Sequence, residues 1–224
     1  MFPETQNITS LNPNFTAFPD AKTIFSTEQA WLAKHFLPLL SIDLAVFNPE
    51  WAGIVVHMLN PIEPYECYIG DETGEYHNEF TCRNWLAFRL SDDNRYIFLG
   101  QEGYFQNTPF HQPDEDLLAQ EAEMRQDHQQ AKDFFQKHGK LPNNEAFLHV
   151  LGGKFEYSNW STEDPPPAFH MDIADDGLNI TYQGKPFIQV AAVAGYNWGA
   201  TGADAIILMY EPESRTVLFT FDWT

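Results

Sequence analysis

The stretch GYNWGATGADAIILMYEP, residues 195–212, places Gly195, Gly199 and Gly202 directly before an apolar run. A phosphate-binding loop of the P-loop or dinucleotide type needs a helix after it, because the free N–H groups at the helix N-terminus hold the anion. Here AIILMY, the turn EPESR and TVLFTF follow, which is typical of two antiparallel strands. No lysine lies beside the glycines, and Asp204 would repel a phosphate. The pattern therefore predicts a glycine-shaped turn or bulge between strands.

Short runs rich in aromatic and β-branched residues recur along the rest of the chain. DETG, SDDN and NPIEP separate several of them, which is typical of turns in an antiparallel meander. The predicted strands are GIVVHML (53–59), YECYIG (65–70), CRNWLAFRL (82–90) and RYIFLGQEGYF (95–105), followed later by FLHVLGG, LNITYQ, PFIQVAAV, AIILMY and TVLFTF.

Two helices are predicted between these strands. Ser26 can cap a short helix over Thr27–Leu37, with Gln29 as the third-residue partner of a capping box, and Pro38 ends it. The stronger pattern has acidic residues in its first turn, basic residues near its end and apolar residues at three- and four-residue spacings. It predicts a helix over Glu115–His138.

These elements predict an α+β fold that is mainly antiparallel sheet with a few packed helices. A chain of 224 residues with 43% hydrophobic and 15% aromatic content can bury a large core without disulfides or metals. We expect a single α+β domain over residues 1–224, with a subdivision near residues 110–140 as the alternative.

The composition is strongly acidic. The chain has 12 basic and 32 acidic residues, a formal net charge of -20 that is spread over both halves. A field of this sign repels phosphate backbones and anionic lipid head groups, so we expect neither nucleic acid nor membrane as a partner. It favours a cationic partner, although acidity is also a common route to solubility.

The sequence also predicts the compartment. The segment MFPETQNITSLNPNF has neither the basic nor the apolar region of a secretory signal, and no apolar run approaches the ~20 residues that span a bilayer. We therefore expect a cytoplasmic location. Cys67 and Cys82, which flank a predicted hairpin, are expected to stay reduced there.

The second half of the chain resembles a known family. FLHVLGGKFEYSNW, PFIQVAAV and YNWGATGADAIILMYEPESRTVLFTFDW, within about residues 145–224, resemble the C-terminal half of the YwqG-like family of uncharacterised bacterial proteins. Ala200 departs from the acidic residue that often follows the Trp-Gly pair in that family, and the first 110 residues show no resemblance. The resemblance implies a sheet-rich α+β fold and transfers no catalytic residues. The matching features are Gly152 and Gly153, Gln189, Trp198 and Gly199, and Phe219 to Trp223.

Histidine and acidic residues suggest one candidate metal site. His170 and Asp172 are two residues apart in a predicted strand, so they point to the same face, and His149 precedes the paired glycines. The chain contains no HExxH or CxxC spacing. A metal-dependent hydrolase, or an accessory protein of metal or siderophore handling, is therefore the alternative function.

Aromatic residues near turns suggest a binding surface instead. Tyr196 and Trp198, with Asp204 close by, are candidates to anchor a partner, because Tyr and Trp are favoured at interfaces. In a chain with 15% aromatic residues, packing in the core is the more common role of such side chains. The chain has no GxSxG motif, no catalytic residue can be named, enzymatic activity stays open, and no cofactor is expected. The sequence most favours an acidic binding module for a basic protein partner, in the manner of an immunity protein.

Overall fold

The computed structural model describes residues 2–64, 68–112, 115–174, 177–199 and 201–223. The fold is α+β, as predicted, with strands (37%) outweighing helices (29%). In the described ranges the strands are β1 (Phe2–Ile8), β2 (Phe15–Ala17), β3 (Phe36–Asp43), β4 (Val55–Pro61), β5 (Thr81–Cys82), β6 (Trp85–Leu90), β7 (Tyr96–Phe98), β8 (Leu148–Gly153), β9 (Phe169–Ala174), β10 (Gly177–Tyr182), β11 (Lys185–Pro186), β12 (Ile188–Val193), β13 (Ala205–Glu211) and β14 (Thr216–Asp222).

The strands form one large antiparallel sheet and two small ones. The large sheet has the order β1-β8-β12-β13-β14-β6-β5, and β7 pairs with β6. The small sheets have the orders β11-β10-β9 and β2-β3-β4. The predicted hairpin of AIILMY and TVLFTF is confirmed as β13 and β14, which lie at the centre of the large sheet.

The run AIILMY is continuously apolar because both faces of β13 are buried. Ile206 and Leu208 face one core cluster, whereas Ile207 and Met209 face another, as the two-residue period of a strand requires. The first cluster also contains residues of β3, β4 and the long helix, and the second contains residues of β9 and β10. The large sheet is thus covered on both faces.

The helices are α1 (Ala21–Ile24) and α2 (Glu115–His138). The predicted bounds of α2 are confirmed at both ends. Its buried residues Leu117, Met124 and Ala131 recur every seven positions, which is the seam of a helix lying on the core. Within the described residues, no helix combines the length and the apolar character needed to cross a bilayer. Short 3-10 helices occupy Thr27–Lys34, Leu44–Val46, Pro49–Trp51, Asp71–Tyr76, Glu102–Tyr104, Pro142–Asn144, Asn159–Thr162 and Gly195–Trp198.

The prediction of a helix over Thr27–Leu37 is wrong in the type of helix and in the residue at which the helix ends. The segment is a kinked 3-10 helix that stops at Lys34, and the next residues enter β3, which contains Pro38 at a bulge. Ser26 makes no side-chain cap. Gln29 instead accepts from the backbone N–H of Phe98 at 2.7 Å and donates to its carbonyl at 3.1 Å. This distant pairing overrides the local capping pattern.

Two predicted strands are also corrected. Residues 65–67 of the strand predicted at 65–70 lie outside the described residues, and Ile69 and Gly70 form a turn. The strand predicted at 95–105 ends at Phe98 and is followed by a 3-10 helix containing Tyr104. The Tyr104 hydroxyl is buried and donates to the carbonyl of Cys82 at 3.0 Å, so this aromatic run is used for core packing rather than for a strand.

Candidate functional site

The glycine-rich loop connects β12 and β13, two antiparallel neighbours, and enters a strand rather than an α-helix. Its two ends touch: the Gly195 N–H donates to the Ala203 carbonyl at 2.7 Å, and a Cβ on Gly195 would lie 2.8 Å from the Cα of Gly202. The same Cβ would lie 2.7 Å from Oδ1 of Asn60 in β4. The glycines therefore allow two backbone segments to lie in close contact. Because no α-helix follows it, the loop does not have the geometry of a phosphate-binding loop.

Substitution of Gly202 by alanine is expected to lower the free energy of unfolding by roughly 1–3 kcal/mol. Its φ is +148°, and a Cβ would approach Asn60 Nδ2 and Gly195 Cα to 2.8 Å. Gly74→Ala is the control, since a Cβ there meets nothing within 4 Å. Urea unfolding measures both, and an equal effect of the two substitutions would contradict the close-packed loop.

An acidic cleft of about 510 Å³ lies between this loop and helix α2. Asp127 and Glu145 contribute carboxylates to its wall, and Phe134 and Tyr196 contribute aromatic rings. Across the described ranges, neither carboxylate has an ion-pair partner. Two uncompensated acids beside exposed ring surface are suited to an ammonium or guanidinium group.

Asn197 anchors the loop at this cleft. It is 2% exposed, and its Nδ2 donates to the Ala146 carbonyl at 3.0 Å and lies 2.9 Å from His149 Nε2. Because a carbonyl only accepts, the amide orientation is fixed, and His149 must accept at Nε2. Asn197 Oδ1 then has no partner among the described residues. This buried acceptor is therefore unsatisfied, a state that usually costs about 1–3 kcal/mol.

A second cleft, of about 320 Å³, is also lined by Tyr196. Ile62, Met124 and Trp223 line it together with two prolines, but Ile62 and Met124 are only 4% and 3% exposed. Gln120 of α2 donates to the carbonyl of Ile62 at 2.7 Å and thereby fixes the helix against the segment that follows β4. Tyr196 is 48% exposed and lines both clefts.

The three predicted binding residues lie in three different environments. Tyr196 is at the surface, but Trp198 is 1% exposed and packs edge-on against Phe18, with ring centroids 5.0 Å apart. Trp198 is a core residue and cannot anchor a partner. Asp204 is half-buried, donates its backbone N–H to the Asp222 carbonyl at 2.9 Å, and lines neither cleft.

The three predicted metal ligands are not brought together. His170 Nε2 and Asp172 Oδ2 form a 2.9 Å ion pair, exposed on β9 of a small sheet. His149 lies on β8 of the large sheet and is hydrogen-bonded to Asn197. In the part of the chain that the structure describes, no three His, Cys, Asp or Glu side chains form a group able to hold a metal ion.

Sequence reasoning missed one pair of residues that resembles a nucleophile and its base. Ser41 Oγ lies 2.8 Å from His57 Nδ1, and His57 Nε2 lies 2.9 Å from the Asn94 carbonyl. Nε2 must donate to that carbonyl, so Nδ1 accepts from the serine hydroxyl. Ser41 and His57 are only 8% and 6% exposed, and neither lines either cleft. The register of β3 against β4 pairs them, and the pair is a buried structural contact.

Cys82 is unsuited to nucleophilic chemistry. Burial, together with the nearby carboxylates of Glu163 and Asp164, raises the pKa of its thiol to about 12. The thiolate is the reactive form of cysteine, so this residue is inert near neutral pH. Cys67, its predicted hairpin neighbour, lies outside the described residues.

Comparison with protein-family models, curated proteins and solved structures finds no match to this chain. No relative therefore supplies a ligand or a catalytic residue for either cleft. The charge, the exposed ring and the volume of the clefts are the features that indicate a function.

Proposed function

We propose that this chain is a binding module for a cationic partner, a basic protein that it holds at the acidic cleft in the manner of an immunity protein. The observation that supports the proposal is the placement of two unpaired carboxylates, Asp127 and Glu145, in one cleft with the exposed ring of Tyr196. A basic side chain entering this cleft would gain two charge-assisted contacts and a cation–π contact worth roughly 0.5–1 kcal/mol.

The charge of the whole chain supports the same partner. A net charge of -20 attracts a basic protein over a distance comparable to the Debye length, and it repels nucleic acids. Attraction of this kind mainly raises the association rate and weakens as salt is added. Local carboxylates must then supply the specificity, and the acidic cleft contains them.

The proposal includes a cytoplasmic location, where such a partner would be met. It also includes kinship with the YwqG-like family over about residues 145–224. Glu145, Tyr196 and Asn197 lie in that part of the chain, whereas α2, which forms the opposite wall of the cleft, lies outside it. The kinship therefore concerns only one wall of the cleft.

The experiment is affinity capture from the native cell extract with matched charge variants. Asp127→Asn/Glu145→Gln removes the two cleft carboxylates, and Asp92→Asn/Glu156→Gln removes two exposed carboxylates elsewhere. We expect wild type and the control to retain the same basic protein, identified by mass spectrometry, and the cleft variant to bind it at least about tenfold more weakly.

Salt provides the second arm of this experiment. Raising the salt concentration from about 0.1 M to about 1 M shortens the Debye length from roughly 10 Å to roughly 3 Å and should weaken the purified complex. Equal loss of binding in the cleft variant and the control would show general charge attraction and would overturn the cleft assignment. Failure of the wild type to bind any basic protein would overturn the proposed function.

A further inference from the structure

A third cleft, of about 260 Å³, lies on the face of the large sheet that also packs against β9 and β10. Its floor contains Val150, Ala192 and Ala205, which are half-buried. Val150 of β8 pairs with Ala192 of β12, and Ala192 pairs with Ile207 of β13, so these side chains form one row across the sheet. Ala205 lies two residues before Ile207 and therefore points to the same face. The small side chains of the two alanines leave this part of the sheet as a depression.

Gln189 places a hydrogen-bonding group in the wall of this cleft. It is 9% exposed, and a β-bulge between Gln189 and Ala191 turns it to the same face of the sheet as Ala192. Its Nε2 donates to the Gly152 carbonyl at 2.9 Å, and because a carbonyl only accepts, the orientation of the amide is fixed. Within the described ranges, Gln189 Oε1 has no hydrogen-bond partner, so this acceptor is left for a ligand.

The edge strand β1 forms one rim of the cleft through Glu4 and Gln6. Gln6 pairs with Val150, so it extends the row of side chains in the floor. Its Nε2 donates to Glu4 Oε1 at 2.6 Å, and both side chains are exposed. A Cβ on Gly153 would lie 2.6 Å from Glu4 Oε2, so the glycine makes room for this carboxylate. The rim thus carries carboxylate and amide oxygens that can accept hydrogen bonds.

The segment after β8 forms a second rim and holds the ring of Tyr157 there. Phe155 and Trp160 anchor this segment in the core, since they are only 4% and 5% exposed. Ser158 Oγ donates to Asp222 Oδ2 at 2.5 Å, which fixes the residue next to Tyr157. Tyr157 itself is 62% exposed. An exposed ring between anchored neighbours offers a pre-organised apolar surface at low cost in conformational entropy.

We propose that this cleft binds a carbohydrate through one pyranose ring. A pyranose has hydroxyl groups around its edge and apolar C–H groups on its faces. The ring of Tyr157 and the alanine floor can cover those faces, while Gln189 Oε1 and the Glu4 carboxylate accept hydrogen bonds from the hydroxyl groups. A volume of about 260 Å³ lies just below the ~300–1,000 Å³ of pockets for drug-sized ligands, so a single ring suits the cleft better than a longer ligand. The cleft shares no lining residue with the acidic cleft, and this inference is independent of the proposed function.

The arrangement of the polar groups favours a neutral sugar over an ion. In the described part of the chain, Glu4 and Asp222 do not join any group of three ligands able to hold a metal ion. A phosphorylated sugar or a nucleotide would meet the same two carboxylates and a protein of net charge -20, which repel its phosphate. A purely apolar ligand would bury Gln189 Oε1 and the Glu4 carboxylate without hydrogen bonds, at a cost in free energy. Separate acceptors around an apolar floor fit a molecule whose hydroxyl groups are likewise spread around its edge.

The test is saturation-transfer NMR with four uncharged sugars: methyl glucoside, methyl galactoside, methyl mannoside and N-acetylglucosamine. Adenosine is the comparison, because it also has a flat ring with polar edges. We expect at least one sugar to bind with a Kd below about 10 mM and to bind more tightly than adenosine.

Variants of Tyr157 assign the binding to this cleft. Because the ring is exposed, Tyr157→Ala should leave the melting temperature unchanged while weakening the bound sugar about tenfold, as truncation of a binding anchor does. Tyr157→Phe keeps the ring and should retain the affinity. Phe110→Ala is the matched control, since Phe110 is 56% exposed and lies outside the cleft. Its affinity should equal that of the wild type.

Two results would contradict the inference. Absence of binding by all four sugars, or binding of adenosine alone, would overturn the carbohydrate site. Sugar binding that Tyr157→Ala leaves unchanged would overturn its assignment to this cleft. Neither result bears on the basic partner, which Asp127→Asn/Glu145→Gln tests at the acidic cleft.

Discussion

Replacement of Glu63 by alanine is expected to lower the free energy of unfolding by about 3–5 kcal/mol. Glu63 is 3% exposed, and its Oε1 lies 3.0 Å from Nδ1 of His35, which is 2% exposed. Its Oε2 accepts from the backbone N–H of Gln106 at 2.5 Å. The His35 ring stacks on Phe105 with centroids 4.3 Å apart, so it cannot move to reach water. Alanine would leave the buried ring of His35 and the partly buried N–H of Gln106 without an acceptor.

Equilibrium unfolding in urea, followed by tryptophan fluorescence, measures this loss. Glu213→Ala is the control, because Glu213 pairs with Lys185 at 2.9 Å but both side chains are at least half exposed. A surface pair of this kind contributes about 0–1 kcal/mol. A loss of less than about 1 kcal/mol for Glu63→Ala, similar to that of the control, would show that the buried pair does not stabilise the fold.

The elements that were predicted correctly have their signals within the segment itself. Helix α2 has acidic residues in its first turn and Gly139 after its last, and the φ of +69° at Gly139 is the left-handed conformation that ends a helix. The strands β13 and β14 are apolar runs bounded by turn residues. Such local signals are sufficient when no distant residue competes with them.

The helix predicted at Thr27–Leu37 failed because its deciding contact is distant. Gln29 bonds to the backbone of Phe98, which is 69 residues away, and Phe36 begins a strand that pairs with β4. A capping pattern indicates only which local hydrogen bonds Ser26 and Gln29 could form. Tertiary hydrogen bonds of comparable strength decided the outcome.

The candidate site could be predicted only in part for the same reason. Tyr196 was identified as an aromatic residue near a turn, but the acids that face it come from α2 and from the segment before β8. No sequence spacing links Asp127 or Glu145 to the glycine loop. Trp198, two positions after Tyr196, is buried because the 3-10 turn over Gly195–Trp198 directs the two rings to opposite sides, one to solvent and one to the core.

Lowering the pH from about 6.5 to about 4 is expected to remove about 3 kcal/mol of stability through His57 alone. Burial lowers the pKa of His57 from 6.5 to about 4, although its hydrogen bond to the Asn94 carbonyl acts in the opposite direction. The unfolded chain therefore takes up a proton near pH 6.5, whereas the folded chain does so only near pH 4. The contribution of neutral His57 to the free energy of unfolding is therefore fully present above about pH 6.5, and it is lost as the pH falls from about 6.5 to about 4. Burial also lowers the pKa of His128, which adds to the loss in the same direction.

The variant that tests this titration is His57→Gln, because glutamine keeps an acceptor for Ser41 and a donor for Asn94 but does not titrate. Carboxylates titrate in the wild type and in the variant alike, so the difference between their unfolding free energies isolates the histidine. We expect that difference to shrink by about 3 kcal/mol from pH 6.5 to pH 4. Parallel pH profiles for the wild type and His57→Gln would mean that His57 is not held neutral in the fold, and the Ser41 hydroxyl would then lack the acceptor that the structure gives it.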